Sequence, residues 1–143
     1  MKVCPRCLGK GHVDWDDIKR LGKELKWIPG TCAYCNGIGK VDLNIESNVP
    51  VDTTYLVTNL SVEERDKIIN GNPDALERAH SYDDQINDFI NQVCYLVFET
   101  GLTPTQVAEF YLLPKRELDS YEEEKQEFTE YVERVVKVRR GER

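Results

Sequence analysis

The hydrophobic pattern divides the chain into two unlike stretches. From residue 61 onward, apolar side chains recur at the three- and four-residue steps of a helix face, and the runs are punctuated by caps. Ser61-Val62-Glu63-Glu64 has the S-x-x-E form of a capping box and opens a helix that Asn70-Gly71 ends. Asn72-Pro73 opens a second, with asparagine as the cap and proline at the first helical position. A third is predicted from about Asp84, with Ile86, Phe89, Ile90, Val93, Cys94 and Val97 on one stripe and Gly101 as its C-terminal cap. Thr103-Pro104 opens a fourth with Val107, Phe110 and Tyr111 inward, and Pro114 opens a long fifth that reaches about Val138. In this last segment Leu118, Tyr121, Phe128, Val132 and Val135 fall on a and d positions of a heptad, with Lys125 interrupting the seam.

The first 60 residues carry shorter signals. Asp14 is a candidate N-cap for a helix bearing Ile18, Leu21 and Leu25; Gly22 weakens it, and Pro29-Gly30 turns the chain back. Val41, Leu43 and Ile45 alternate with polar residues as in a short strand. Asn48 to Asp52 reads as loop, and Thr53 to Val57 as another extended piece.

Overlaid on this pattern are two copies of one motif, C-x-x-C-x-G-x-G. Cys4-Pro5-Arg6-Cys7-Leu8-Gly9-Lys10-Gly11 and Cys32-Ala33-Tyr34-Cys35-Asn36-Gly37-Ile38-Gly39 hold four of the five cysteines. A two-residue spacer turns both sulfurs of a pair toward one ion, and the glycines permit the positive-φ turn that brings backbone N–H groups to the sulfurs. Cys4, Cys7, Cys32 and Cys35 are therefore the expected ligands of one Zn²⁺ per chain. A shell of four thiolates leaves no position for water or substrate, which makes that metal structural. Tetrahedral sulfur also accepts iron, and redox dithiols share the C-x-x-C spacing, although those stand in a βαβ context that this pattern lacks. His12 follows the first glycine pair, but four cysteines already complete the shell. Cys94 reads as a small buried hydrophobe.

The paired repeats resemble the cysteine-rich zinc domain of the DnaJ chaperones. That family carries four repeats forming two zinc sites; residues 4–39 carry two, enough for one. The resemblance implies the metal fold and a protein-contact role. It does not extend to the rest of the chain: the His-Pro-Asp tripeptide of the family's J-domain is absent, and the helical pattern of 61–143 is unlike its β-rich substrate-binding domains. The expected fold class is a small zinc-binding β-hairpin/knuckle module plus an all-α helical bundle, mainly α overall. The module occupies residues 1–45, a connector 46–60 and the helical domain 61–143.

Composition adjusts this picture in two ways. Residues 1–40 carry eight Lys/Arg against four acids, whereas the remainder carries eleven against 22, within a net charge of −7 over 143 residues. An acidic body argues against broad nucleic-acid binding and leaves the basic insert between the cysteine pairs as the local contact surface. Met1-Lys2-Val3-Cys4 lacks a secretory apolar stretch and no run reaches membrane-spanning length, so a cytoplasmic protein with reduced cysteines is expected. Neither His12 nor His80 belongs to a catalytic constellation, and a non-enzymatic adaptor with a protein partner is the reading that follows. Trp15 and Trp27 lie at the two ends of the insert and either pack over the small metal site or, in this reading, form the contact surface with the basic insert. A second reading is a nucleic-acid-binding regulator that uses a helix-turn-helix-like segment, 103–121. Lys115 and Arg116 would begin its recognition helix, and the final helix would pair two copies.

Overall fold

The computed structural model describes residues 1–141, which form two compact units, Met1–Gln85 and a second from Ile86 onward. The fold is mainly helical, with six helices and two two-stranded antiparallel sheets. In the first unit β1 (Lys2–Val3) pairs with β4 (Lys40–Val41), and β2 (His12–Val13) pairs with β3 (Gly30–Thr31). The strand before each cysteine motif thus pairs with the strand after the other, so the two motifs interlock. Helix α1 (Trp15–Arg20) begins at Asp14, whose carboxylate accepts from the Asp17 amide while Asp17 returns the bond to the Asp14 amide. It ends at Leu21, before reaching Leu25, because Gly22 takes a φ of 71°.

Residues 41–60 differ from expectation. Strand β4 has two residues, Leu43 is exposed, and Ile45 opens the short helix α2 (Ile45–Asn48). Residues 53–57 form no strand: Thr54 and Tyr55 lie in a turn, and Thr53 N–H donates to the Pro50 carbonyl at 3.0 Å. The cause is Arg6. Its buried guanidinium donates to the carbonyls of Val51 (2.9 Å), Leu56 (2.6 Å) and Thr53 (3.0 Å). Carbonyls three residues apart point to opposite sides of a strand, so those of Thr53 and Leu56 converge on one group only if the chain coils. The same guanidinium lies 4.0 Å from the centre of the Trp27 ring and 5.3 Å from that of Tyr34, a cation between two π faces. Burial lowers the Arg6 pKa to about 10, so the group stays charged at neutral pH.

One core runs through this unit from Cys4 to Ala79 and includes Val49, Leu56 and Val57. Residues 46–60 are therefore part of the packed unit rather than a connector, and the division falls between Gln85 and Ile86. Helix α3 (Val62–Ile69) starts at Ser61, whose hydroxyl accepts from the Glu64 amide at 3.1 Å. Helix α4 (Pro73–Cys94) starts where Asn72-Pro73 predicts but runs unbroken past Asp84, so two expected helices are one. An inward stripe, Ala75, Ala79, Ile86, Ile90 and Val93, keeps helical spacing throughout.

The second unit comprises the end of α4, a π-helical turn (Tyr95–Glu99), α5 (Pro104–Leu112) and α6 (Tyr121–Arg139). Thr103 and Gln106 form a reciprocal capping box on α5. Val107, Ala108 and Leu112 of α5 are buried, as are Val132 and Val135 of α6, whereas Phe110, expected inward, is exposed. Phe89 sits among Tyr111, Phe128 and Tyr131, with ring centres 5.3, 5.9 and 6.1 Å away. Proline at 114 does not open the last helix: Leu113–Lys115 form a 3₁₀ turn, and α6 begins at Tyr121 with Glu122, Glu123 and Glu124 in its first turn, where the helix dipole favours them.

Arg6→Lys is expected to destabilise the protein by about 2–4 kcal/mol, because one ammonium cannot reach three carbonyls and the orphaned ones stay buried. Thermal unfolding followed through Trp27 fluorescence measures this; an unchanged midpoint would remove Arg6 from its central place in the fold.

Candidate metal centre

The two motifs repeat with an offset of 28 positions, and their geometry repeats with them. Leu8 and Asn36 both take left-handed backbone, at φ 56° and 58°, and the glycines after them hold φ between 80° and 88°. Cys4 N–H donates to the Gly39 carbonyl at 2.9 Å and Cys32 N–H to the Gly11 carbonyl at 3.0 Å. The amides of Gly11 and Gly39 point at the sulfurs of Cys7 and Cys35, each at 3.2 Å. The backbones are pressed together. A Cβ on Gly11 would lie 2.6 Å from the Gly37 carbonyl oxygen, and one on Gly39 would lie 2.6 Å from that of Gly9. Both spacer glycines are thus required for approach as well as for φ.

This folding brings the Sγ atoms of Cys4, Cys7, Cys32 and Cys35 within 4.8 Å of one another, all four residues buried. Two pairs meet across the motifs, Cys4 with Cys32 at 3.8 Å and Cys7 with Cys35 at 3.7 Å. Metal–sulfur bonds of about 2.3 Å in a tetrahedron give sulfur–sulfur edges of about 3.8 Å. The donor set therefore fits a tetrahedral thiolate-bound ion, and the two amides supply the hydrogen bonds that such sulfurs accept. The hydrogen bond from Cys32 holds the Cys4 thiol down to about 5, and that shared proton drives Cys32 up. Burial pushes Cys7 up as well. The buried Arg6 guanidinium, coupled electrostatically to Cys32 and Cys4, lies where it offsets the charge of the thiolates.

Amides turned inward leave carbonyls turned outward, and arginines cap them. Arg20 donates to the Arg6 carbonyl at 2.7 Å, between the first pair of cysteines. Arg65 of α3 donates to the Ala33 carbonyl at 2.8 Å and to the Tyr34 carbonyl, between the second pair. Positions 6 and 34 are equivalent in the repeat, so both motifs are closed by the same device from different helices. Tyr34 adds a bond from its hydroxyl to the Val49 carbonyl at 2.5 Å. Sequence reasoning missed Arg6, Arg20 and Arg65; the only trace was an arginine inside a motif whose interior must be closed.

The other expected site residues are placed differently. Trp27 is 2% exposed, with its ring against Arg6 and its Nε1 donating to the Thr54 carbonyl at 3.0 Å, so it offers no partner surface. Trp15 is exposed at the start of α1. The basic insert is largely neutralised in place. Lys10 pairs with Asp14 and Asp17 at 2.8 Å, Arg20 with Asp17 at 3.2 Å and Lys26 with Asp83 at 2.9 Å. Lys115 and Arg116 lie in the connection between α5 and α6, not on a recognition helix, because Leu113-Pro114 tightens the chain there and the acidic run begins α6 instead. The heptad stripe of α6 is covered within its own unit at Val132 and Val135, and Leu118 is exposed ahead of the helix. His12 is exposed and outside the sulfur cluster, Cys94 is half-buried, and exposed His80 meets the edge of Tyr55, ring centres 5.0 Å apart.

Gly11→Ala and Gly39→Ala are each expected to cost about 2–5 kcal/mol, combining left-handed strain with a backbone clash. Gly71→Ala, at φ 78° with nothing within 4 Å of its Cβ, is expected to cost only about 1 kcal/mol. Metal retention against a chelator should fall for the first two and not for the third; equal loss in all three would mean that close approach is not what the glycines provide.

No protein-family model matches the chain, and no curated protein or solved structure shows significant similarity to it.

Proposed function

We propose that the chain is a non-enzymatic zinc protein. One Zn²⁺ on Cys4, Cys7, Cys32 and Cys35 holds its N-terminal module together, as a single-site counterpart of the DnaJ-type zinc domain, and the module serves a protein-interaction, chaperone-like adaptor role. The observation that carries the metal assignment is the buried sulfur tetrad with 3.7 and 3.8 Å edges. Four soft sulfur donors at tetrahedral spacing suit Zn²⁺, and when bound it would supply folding energy, with no coordination position left for a substrate. Among the described residues, no helix is long and apolar enough to cross a membrane.

The interaction role is supported by the motif tips. Val3, Leu8 and Ile38 are 58%, 59% and 68% exposed. Leu8 also holds a left-handed backbone, a conformation that asparagine, present at the equivalent position 36, adopts more readily. An exposed apolar side chain kept at a strained position contributes nothing to the module's own core and is suited to contact with another protein.

Elemental analysis of protein purified without added metal should find one zinc per chain, and chelation should unfold the module; iron, or no bound metal, would overturn the assignment. Leu8→Asn is expected to raise module stability by about 1 kcal/mol. It should at the same time reduce crosslinking of cellular proteins to a photoreactive residue placed at position 38. Lowered stability with unchanged crosslinking would make Leu8 a structural residue and end the interaction reading.

A further inference from the structure

A groove on the first unit lies apart from the sulfur cluster. Tyr55, Val57 and Leu60 of the coiled segment, Ile68 of α3, and Ala79 and Tyr82 of α4 line a cleft of about 460 Å³. That is the size of a pocket for one large side chain or a small ligand. At its rim Arg78 is held by Glu64 through two bonds of 3.0 and 3.1 Å. A second hollow of about 540 Å³ shares Arg78 and Tyr82 with the first and continues along α4 past Glu77 and Asp74. The cation of the groove is committed to Glu64, whereas Asp74 and Glu77 form no ion pair among the described residues. The groove is thus apolar and aromatic at one end and negative at the other.

We propose that this groove binds an extended peptide segment of a partner protein. The segment would place one large apolar side chain in the cleft between Tyr55 and Tyr82 and a lysine or arginine against Glu77 and Asp74. The proposal rests on the protein-interaction reading above and names its surface and partner chemistry. Spacing follows from the helix. Glu77 and Asp74 precede Tyr82 by about 7 and 12 Å along α4, which an extended chain covers in about two to four residues. The basic residue therefore stands two to four positions from the apolar anchor. Charge complementarity excludes an acidic segment, which would face two unpaired carboxylates.

The walls of the groove hang on the metal module. Arg6 and Trp27 fix the segment that carries Tyr55 and Val57 through the carbonyls of Val51, Thr53, Thr54 and Leu56. Arg65 ties α3 to the second cysteine motif, and Lys26 ties α4 through Asp83 at 2.9 Å. Peptide binding is therefore coupled to metal occupancy, although no ligand atom touches the sulfur cluster.

Panning a random heptapeptide phage library on the zinc-loaded full chain tests this. The enriched peptides should carry a large apolar residue with Lys or Arg two to four positions away. By fluorescence anisotropy, a labelled peptide of the enriched sequence should bind about tenfold or more weakly to Tyr82→Ala and to Glu77→Lys. Both side chains are exposed, so the thermal midpoint should hold. Chelation should abolish binding. Enrichment of sequences without a basic residue, or no enrichment, would overturn the groove. Binding that survives both substitutions would also overturn it while leaving the adaptor reading intact, since the contact would then lie on another face.

Discussion

The first unit depends on one constraint: sulfur and amide groups that face inward around a point force carbonyl groups outward, and each must find a donor. Two glycine amides are spent on sulfur, and turn amides satisfy some of the carbonyls, as Lys10 N–H does for Cys7 and Ile38 N–H for Cys35, both at 3.2 Å. The carbonyls between the paired cysteines have no such partner in their own turns. Arg20 supplies it near the end of α1 and Arg65 from α3. Because an unpaired buried carbonyl costs about 1–3 kcal/mol, the positions of α1 and α3 follow from the metal motif. Arg6 extends the logic in the other direction, leaving the motif to gather three carbonyls of a segment about 45–50 residues later in sequence.

This arrangement explains why so small a sheet can organise 85 residues. Two ribbons of two paired residues each have almost no stability of their own. What fixes them is the close approach of the backbones at Gly11 and Gly39 and the tetrad they enclose. The second unit uses a different principle. Its helices bury Val107, Ala108, Val132 and Val135, and Phe89 is set into a group of aromatic rings.

Local signals in the sequence were legible wherever local chemistry decides the outcome. Asp14, Ser61 and Thr103 cap the helices they appear to cap, Gly71 and Gly101 take the positive φ of helix ends, and the four cysteines converge. What was not legible depends on distant partners. A new helix is expected from about Asp84, but the apolar spacing of Ala75, Ala79, Ile90 and Val93 runs through that point without a break. Residues 53–57 look extended until Arg6 claims their carbonyls. Trp27 can be read from sequence as packing over the metal site or as a contact surface, and the guanidinium that lies over it decides for packing. At the candidate site, the ligands were written in the motif and the arginines that close it were not, because a carbonyl's need for a donor leaves no mark in composition or periodicity.

The arginines also bear on how far the influence of the metal reaches. A structural ion stabilises what is joined to it, and the four cysteines by themselves join only the two motifs. Arg6 and Arg65 each bridge from a motif to a distant element through rigid, multiply bonded guanidinium groups, which a lysine's single ammonium could not reproduce. Through them the coiled segment and α3, two of the three sides of the groove, are positioned by groups whose own backbone is set by the sulfur cluster. Arg6 and Arg65 thus join two walls of that cleft to the backbone around the sulfur cluster.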